Sequence, residues 1–174
     1  MAGNKSLATT GTWSIADNVQ LTAKWTENYY TITFIHADRS TDAVKVENGK
    51  TLQKDAIPKA KEQPGYTVVW EITDFSNITT NTNVNEKVTA NQYTITYRLA
   101  QGEEIEGEEV VTVTYGESFT LATPTNNDTN KTFSHWQNVD TNKEFKAGTW
   151  TTVRNVTLEA KWNVKSDGEW TKNY

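Results

Sequence analysis

Histidine is the side chain most often used as a general base near neutral pH, and the sequence holds two, His36 and His135. One follows the alternating run YTITF and the other immediately precedes Trp136. Each is expected to be a half-exposed residue at a strand end. The serines are scattered, and none sits in the glycine-flanked turn that presents a nucleophile. With no cysteine in the chain, thiol catalysis, disulfides and thiolate zinc sites are excluded. Catalytic residues: none, cofactor-binding residues: none and metal ligands: none is therefore the reading, and the chain is not expected to be an enzyme.

Three other groupings carry possible chemistry. The run Glu103, Glu104, Glu106, Glu108 and Glu109 invites calcium, but calcium takes about six to eight oxygens held in a fixed loop, mostly Asp, Asn and carbonyl groups. Flanked by Gly102 and Gly107, the run reads instead as a solvated hairpin tip, and so does the polar loop from Asn126 to Asn130. Lys24, Lys87 and Lys161 stand at repeat-equivalent positions among 17 asparagines. A Lys–Asn isopeptide bond would require one of them buried with an Asn and a carboxylate, and would expel one ammonia. Among seven tryptophans, exposed faces would suit stacking on sugar rings. Trp13, Trp25, Trp70, Trp136, Trp150 and Trp162 recur at related positions and are expected in cores, whereas Trp170 is expected to be exposed.

The composition limits the partners. The formal net charge is -5 and no basic stripe interleaves with aromatics, so neither a phosphate backbone nor an anionic membrane is the expected target. A mean hydropathy of -0.72 hints at disorder. Seven Trp, seven Tyr and five Phe among 174 residues, with 30 Thr, argue the other way, because disordered chains are poor in aromatic and β-branched residues. No apolar run approaches the ~20 residues that cross a bilayer, and the opening MAGNKSLATTGTW has no hydrophobic signal core. Any export signal or anchor is expected outside this chain.

Internal repeats organise the chain. GTWSIADNVQLTAKW at Gly11–Trp25 returns as GTWTTVRNVTLEAKW at Gly148–Trp162 with nine of fifteen positions identical. KWTENYYTITF at Lys24–Phe34 returns as KVTANQYTITY at Lys87–Tyr97, and VENGKTL from Val46 aligns with VTYGESF from Val113. These matches mark one repeat unit at 29–92 and a second at 93–163. Residues 1–28 are expected to be the C-terminal part of a preceding repeat, since NKSLATTGTW resembles NKEFKAGTW at Asn142–Trp150. Residues 164–174 are expected to be a tail or linker to a next repeat. The junctions Thr26–Tyr29 and Thr89–Gln92 are short, so neighbouring units should be partly constrained.

Each unit opens with strict alternation: Tyr30, Ile32 and Phe34 in one, and Tyr93, Ile95, Tyr97 and Leu99 in the other. Period-two patterning of aromatic and β-branched residues predicts strands. Further strands are expected at Val44–Val46 and Val111–Tyr115, then at Tyr66–Ile72 and Thr132–Asn138. Closing strands are expected at Leu21–Trp25, Val84–Val88 and Val156–Trp162, with turns at Gly49 and Gly116. Gln53–Glu62 is a modest helix candidate interrupted by Pro58. The class is β-rich α+β with little helix.

Tyr93–Tyr97, Tyr115–Gly116, Pro124, Phe133–Trp136 and Thr157–Trp162 resemble the internalin-type B-repeat, also called the Listeria–Bacteroides repeat. In the unit at 29–92, Gly65–Tyr66 fits the pattern, the spacing to Trp70 is one residue short, and Val88 stands where Trp25 and Trp162 stand elsewhere. HADRSTD replaces the family's Asn-Gly-Gly loop. The resemblance implies tandem small β-grasp-like repeat units on secreted or wall-attached bacterial proteins. It further implies a role as an adhesion module or as a spacer or stalk. Expected partners are a host or bacterial cell-surface protein or glycan, and neighbouring repeats in the same chain, with no nucleic acid, no membrane insertion and no cofactor. The expected location is extracellular, at the bacterial surface or secreted. The alternative is a carbohydrate-binding module using exposed tryptophans.

Overall fold

The computed structural model describes residues 12, 14, 16–20, 22–166 and 169–172. Among them lie fourteen strands and one three-residue 3-10 turn, Lys54–Ala56. The fold is therefore β-rich, and both of its larger sheets are mixed.

The first sheet contains β1 (Tyr29–Ile35), β2 (Thr41–Glu47), β3 (Tyr66–Trp70) and β4 (Thr82–Ala90), in the order β2-β1-β4-β3. β1 pairs antiparallel with β2 and parallel with β4, while β3 runs antiparallel to β4. Alternation turns Ile32 and Phe34 fully inward, where they meet Val46, Leu52, Trp70, Phe75 and Val84. The expected helix from Gln53 to Glu62 shrinks to the 3-10 turn. Ile57, before Pro58, is extended at φ -77 and ψ 122, as the proline ring demands of its predecessor.

The second half holds β5 (Gln92–Arg98), β6 (Glu103–Ile105), β7 (Val110–Thr114), β8 (Ser118–Phe119), β9 (Pro124–Asn126) and β10 (Lys131–Asn138). They are followed by β11 (Glu144–Phe145), β12 (Gly148–Thr149), β13 (Val156–Ser166) and β14 (Glu169–Lys172). The main order is β11-β10-β13-β5-β7, with β14 also on β13. Within the stretch expected as a tail or linker, residues 164–166 lengthen β13 and β14 folds back against it. β5 and β13 form a parallel central pair, as β1 and β4 do. The core joins Ile95, Tyr97, Val113, Trp136, Trp150, Val156 and Leu158.

Small polar devices recur in both halves. Asn81 accepts the Thr31 amide at 2.8 Å, and Asn155 accepts the Thr94 amide at 3.0 Å. Trp70 donates its indole N–H to the Pro58 carbonyl at 2.7 Å, and Trp136 donates to the Ala122 carbonyl at 2.8 Å. The two indole bonds satisfy N–H groups that burial would otherwise leave unpaired.

Several expectations change. Residues 22–25 form no strand; a closing strand needs neighbours on the ladder, and no described residue pairs with them. Trp25, expected in a core, is consequently 89% exposed. Trp70, Trp136 and Trp150 are buried and Trp162 is half-buried, whereas Trp13 and the side chain of Trp170 lie outside the described residues. The acidic run is only partly a solvated tip, because β6 pairs with β9: Glu103 stands opposite Asn126 and Glu104 opposite Thr125. Glu103 accepts the Trp162 indole N–H at 2.5 Å and the Ala100 amide at 2.8 Å. Lys24 and Lys87 are exposed and the Lys161 side chain is 34% exposed, so none has the burial an isopeptide bond requires.

Candidate functional sites

His36 overturns the expectation of a half-exposed strand-end residue: it is 5% exposed. The alternation that turns Ile32 and Phe34 inward continues one step past β1, and Glu86 follows Val84 inward on β4. Nδ1 of His36 lies 2.7 Å from Oε1 of Glu86, and Nε2 lies 2.9 Å from Oδ2 of Asp42 on β2. The Glu86 side chain is fully buried. It also accepts the Lys61 amide at 2.6 Å and the Ala37 amide at 2.8 Å. The imidazole ring leans on Trp70 with centroids 5.1 Å apart. At the rim, Lys61 bridges Asp38 at 2.6 Å and Ser40 at 2.7 Å, and Asp38 is held well below the usual carboxylate range.

The hydrogen bonds to Asp42 and then Glu86 raise the pKa of His36, against burial and the Lys61 charge. Burial alone would raise the pKa of Glu86, but the Lys61 and Ala37 amides together with His36 bring it below its ordinary value. Both shifts favour the charged forms, imidazolium for His36 and carboxylate for Glu86. A general base must offer a free ring nitrogen to substrate, and both nitrogens of His36 face carboxylates. The arrangement ties β1, β2, β4 and the loop at Lys61 together.

The signs of the two shifts give a pH dependence. His36 stabilises fully below its ordinary pKa of 6.5 and loses that contribution as pH rises through its higher folded value. Glu86 stabilises fully above 4.5 and loses its contribution as pH falls through its lower folded value. The first sheet should accordingly be most resistant to denaturant between these two values. Urea midpoints across pH should fall on both sides in the natural chain, and the dependence should flatten in the variant His36→Leu/Glu86→Ala. An equally curved profile in that variant would remove His36 and Glu86 as its source.

His135 is half-buried, and its Nδ1 lies 3.0 Å from the hydroxyl of the adjacent Ser134. No carboxylate among the described residues orients that ring, as a Ser-His pair would need. Among the described residues no group of three or more His, Asp and Glu side chains is placed to hold a metal ion. The acidic run and the polar loop at Asn126 are brought together, but as a strand pair.

Two features escaped sequence reasoning. One is an open groove of about 640 Å³ beside β3, lined by Leu52, Ile57, Ala60, Val68, Trp70 and Phe75 among others. The other is the joint between the two halves. Only Asn91 separates β4 from β5. Its amide donates to the Gly65 carbonyl at 2.9 Å, its carbonyl accepts the Tyr115 amide at 2.9 Å, and its side chain accepts the Thr67 hydroxyl at 2.6 Å. Tyr66 and Tyr115 meet edge to face across the joint, centroids 5.2 Å apart. Gly65 lies so close under the Tyr115 ring that a Cβ there would sit 2.4 Å from its atoms.

No protein-family model matches the sequence, and no curated protein or solved structure matches it.

Proposed function

We propose that the chain is a non-catalytic tandem-repeat segment of a bacterial cell-surface protein, in which β-grasp-like units at 29–92 and 93–163 act in series as an adhesion module or stalk. The observation that carries this reading is the joint. A one-residue connection whose amide, carbonyl and side chain all bond to the flanking units transmits direction from one unit to the next. A flexible linker would let the units tumble independently. The parallel central pair and the recurring Asn and Trp bonds in both halves support treating them as copies of one unit.

Small-angle scattering of the full chain tests the stalk. A profile fitted by one fixed arrangement of the two units is expected, and one fitted only by freely jointed units would overturn it. Binding of the labelled chain to mammalian cells and to immobilised glycans separates the roles. Saturable binding indifferent to soluble sugar means an adhesion module for a protein partner, and a folded chain that binds nothing is a stalk. The exposed indole of Trp25 favours the carbohydrate-binding reading. That reading requires binding that soluble sugar abolishes and Trp25→Ala weakens.

A further inference from the structure

Asn48 is the one asparagine among 17 that is followed by glycine, and that pair has a chemistry of its own. The backbone nitrogen that follows an asparagine can attack the side-chain amide carbon and close a cyclic imide. Most residues hinder the approach with a Cβ, and glycine has none. The pair sits just beyond β2, in a turn where the Lys50 amide donates to the Glu47 carbonyl at 3.0 Å. Gly49 has φ +76, as the third residue of a type II turn requires. Asn48 is exposed, and its side chain bonds to no described residue. The electrophile is therefore free, but the nucleophile is engaged. The Gly49 amide donates to the Ile78 carbonyl at 2.7 Å, and the Ile78 amide returns a bond to the Lys50 carbonyl at 2.9 Å. The Asn48 amide donates to the Asn28 carbonyl at 2.8 Å, which pins the turn to the end of β1. The second half repeats this frame around Tyr115: its amide donates to Asn91, the Gly116 amide to Trp150, and the Trp150 amide to Glu117. The frame is structural in both halves, and the first half places an amide side chain in it.

We propose that Asn48–Gly49 is a self-modification site, which the fold holds shut through the Ile78 carbonyl and which reacts when the connection between β3 and β4 lifts away from the turn. The inference rests on the turn and its bonds and not on the cellular role. Attack needs the Gly49 nitrogen to lose its proton to water and to turn toward Cγ of Asn48. Donation to Ile78 keeps the proton in place and the peptide plane fixed. Once that bond opens, the bond from the Gly49 nitrogen to Cγ forms, the Cγ–Nδ2 bond breaks and ammonia leaves. Water then opens the imide at either carbonyl, giving aspartate or isoaspartate. Isoaspartate inserts a methylene into the main chain between the Asn48 and Gly49 amides. Those are the groups that bond Asn28 and Ile78, so the turn cannot close on both again. Opening is thereby recorded as a lasting change in the first sheet. How often it occurs depends on the anchoring of the connection, in which Ile78 is half-buried against the core of Ile32, Phe34 and Phe75.

Peptide mapping of the full natural chain, incubated at neutral pH with and without urea, reads the site directly. Conversion changes the peptide mass, and the isoaspartate form elutes apart from the aspartate form. In urea Asn48 should convert before any other asparagine. Without urea it should convert at least about tenfold more slowly, because reaction then waits on local opening. Equal rates in the two conditions would overturn the protection, and faster conversion of another asparagine in urea would overturn the choice of site. Ile78→Ala shortens the anchor and leaves the carbonyl in place. It should raise conversion without urea together with hydrogen exchange of the Gly49 amide. Faster exchange of that amide with no rise in conversion would overturn the role given to its bond with Ile78.

Discussion

Glu86→Ala should destabilise the first unit by about 3–5 kcal/mol, and adding His36→Leu should restore most of that loss. The single replacement removes a fully buried carboxylate that His36 and the amides of Lys61 and Ala37 all address. Two amides lose their acceptor, and a buried imidazole beside Trp70 keeps only the partly exposed Asp42. The second unit supplies the template for the rescue. Leu99 stands where His36 stands and Ala160 stands opposite Trp136 as Glu86 stands opposite Trp70, so the same ladder is compatible with an apolar pair. Breaking a buried pair costs far more than replacing it with packed apolar groups. Urea unfolding of the natural chain, both single variants and the double variant near pH 6 measures the coupling directly. A loss below about 1 kcal/mol for Glu86→Ala would show that the buried charge is not what holds the loop at Lys61. So would a double variant as unstable as the sum of the singles.

The strand framework was legible because period-two alternation reports which side chains face a core. Ile32, Phe34, Ile95 and Tyr97 are inward as their spacing requires, and the strands they lie on start and stop within a few residues of expectation. The same alternation carried the signal for His36 and Glu86, each two residues beyond a buried Phe34 or Val84. It was overridden by the assumption that a polar residue after a strand faces water. That assumption fails when two polar residues on neighbouring strands can satisfy each other. Trp25 failed for a different reason. Its sequence matches Trp162 of β13, but a local match does not bury a side chain without the strands that flank it. The β6–β9 pair was invisible because no periodicity marks a strand of three residues, and its partner comes from a loop twenty residues on. The groove could not be read from the sequence, since its walls come from residues far apart in the chain, Leu52, Ile57 and Ala60 on one side and Val68, Trp70 and Phe75 on the other.

Gly65→Val should uncouple the two halves while leaving each sheet formed, at a cost of about 2–5 kcal/mol. Gly65 has φ +82, a left-handed conformation that costs an L side chain roughly 1–2 kcal/mol. Its Cβ would also fall 2.4–2.5 Å from three atoms of the Tyr115 ring. Those atoms belong to the body of the ring, so relief requires moving the side chain that packs against Tyr66, and overpacking of this kind costs about 1–3 kcal/mol. Gly116 faces the same joint from the other side, with its Cβ position 3.1 Å from the Tyr66 hydroxyl. The Asn91 bonds to Gly65 and Tyr115 depend on that spacing, so a shift of the ring loosens the backbone clamp as well. Where two folded parts share an interface, stability is the sum of a term for each part and a term for the interface. Loss of the interface should therefore split the unfolding of the two units into separate transitions and broaden the scattering profile toward that of freely jointed units. The steric and conformational parts separate in a cycle with Tyr115→Ala. Without the ring, Gly65→Ala should retain only the cost of its positive φ, about 1–2 kcal/mol. With the ring present the same substitution should cost more. An equal cost in both backgrounds would mean that the two halves do not communicate through this contact, and the stiffness of the joint would have to come from Asn91 alone.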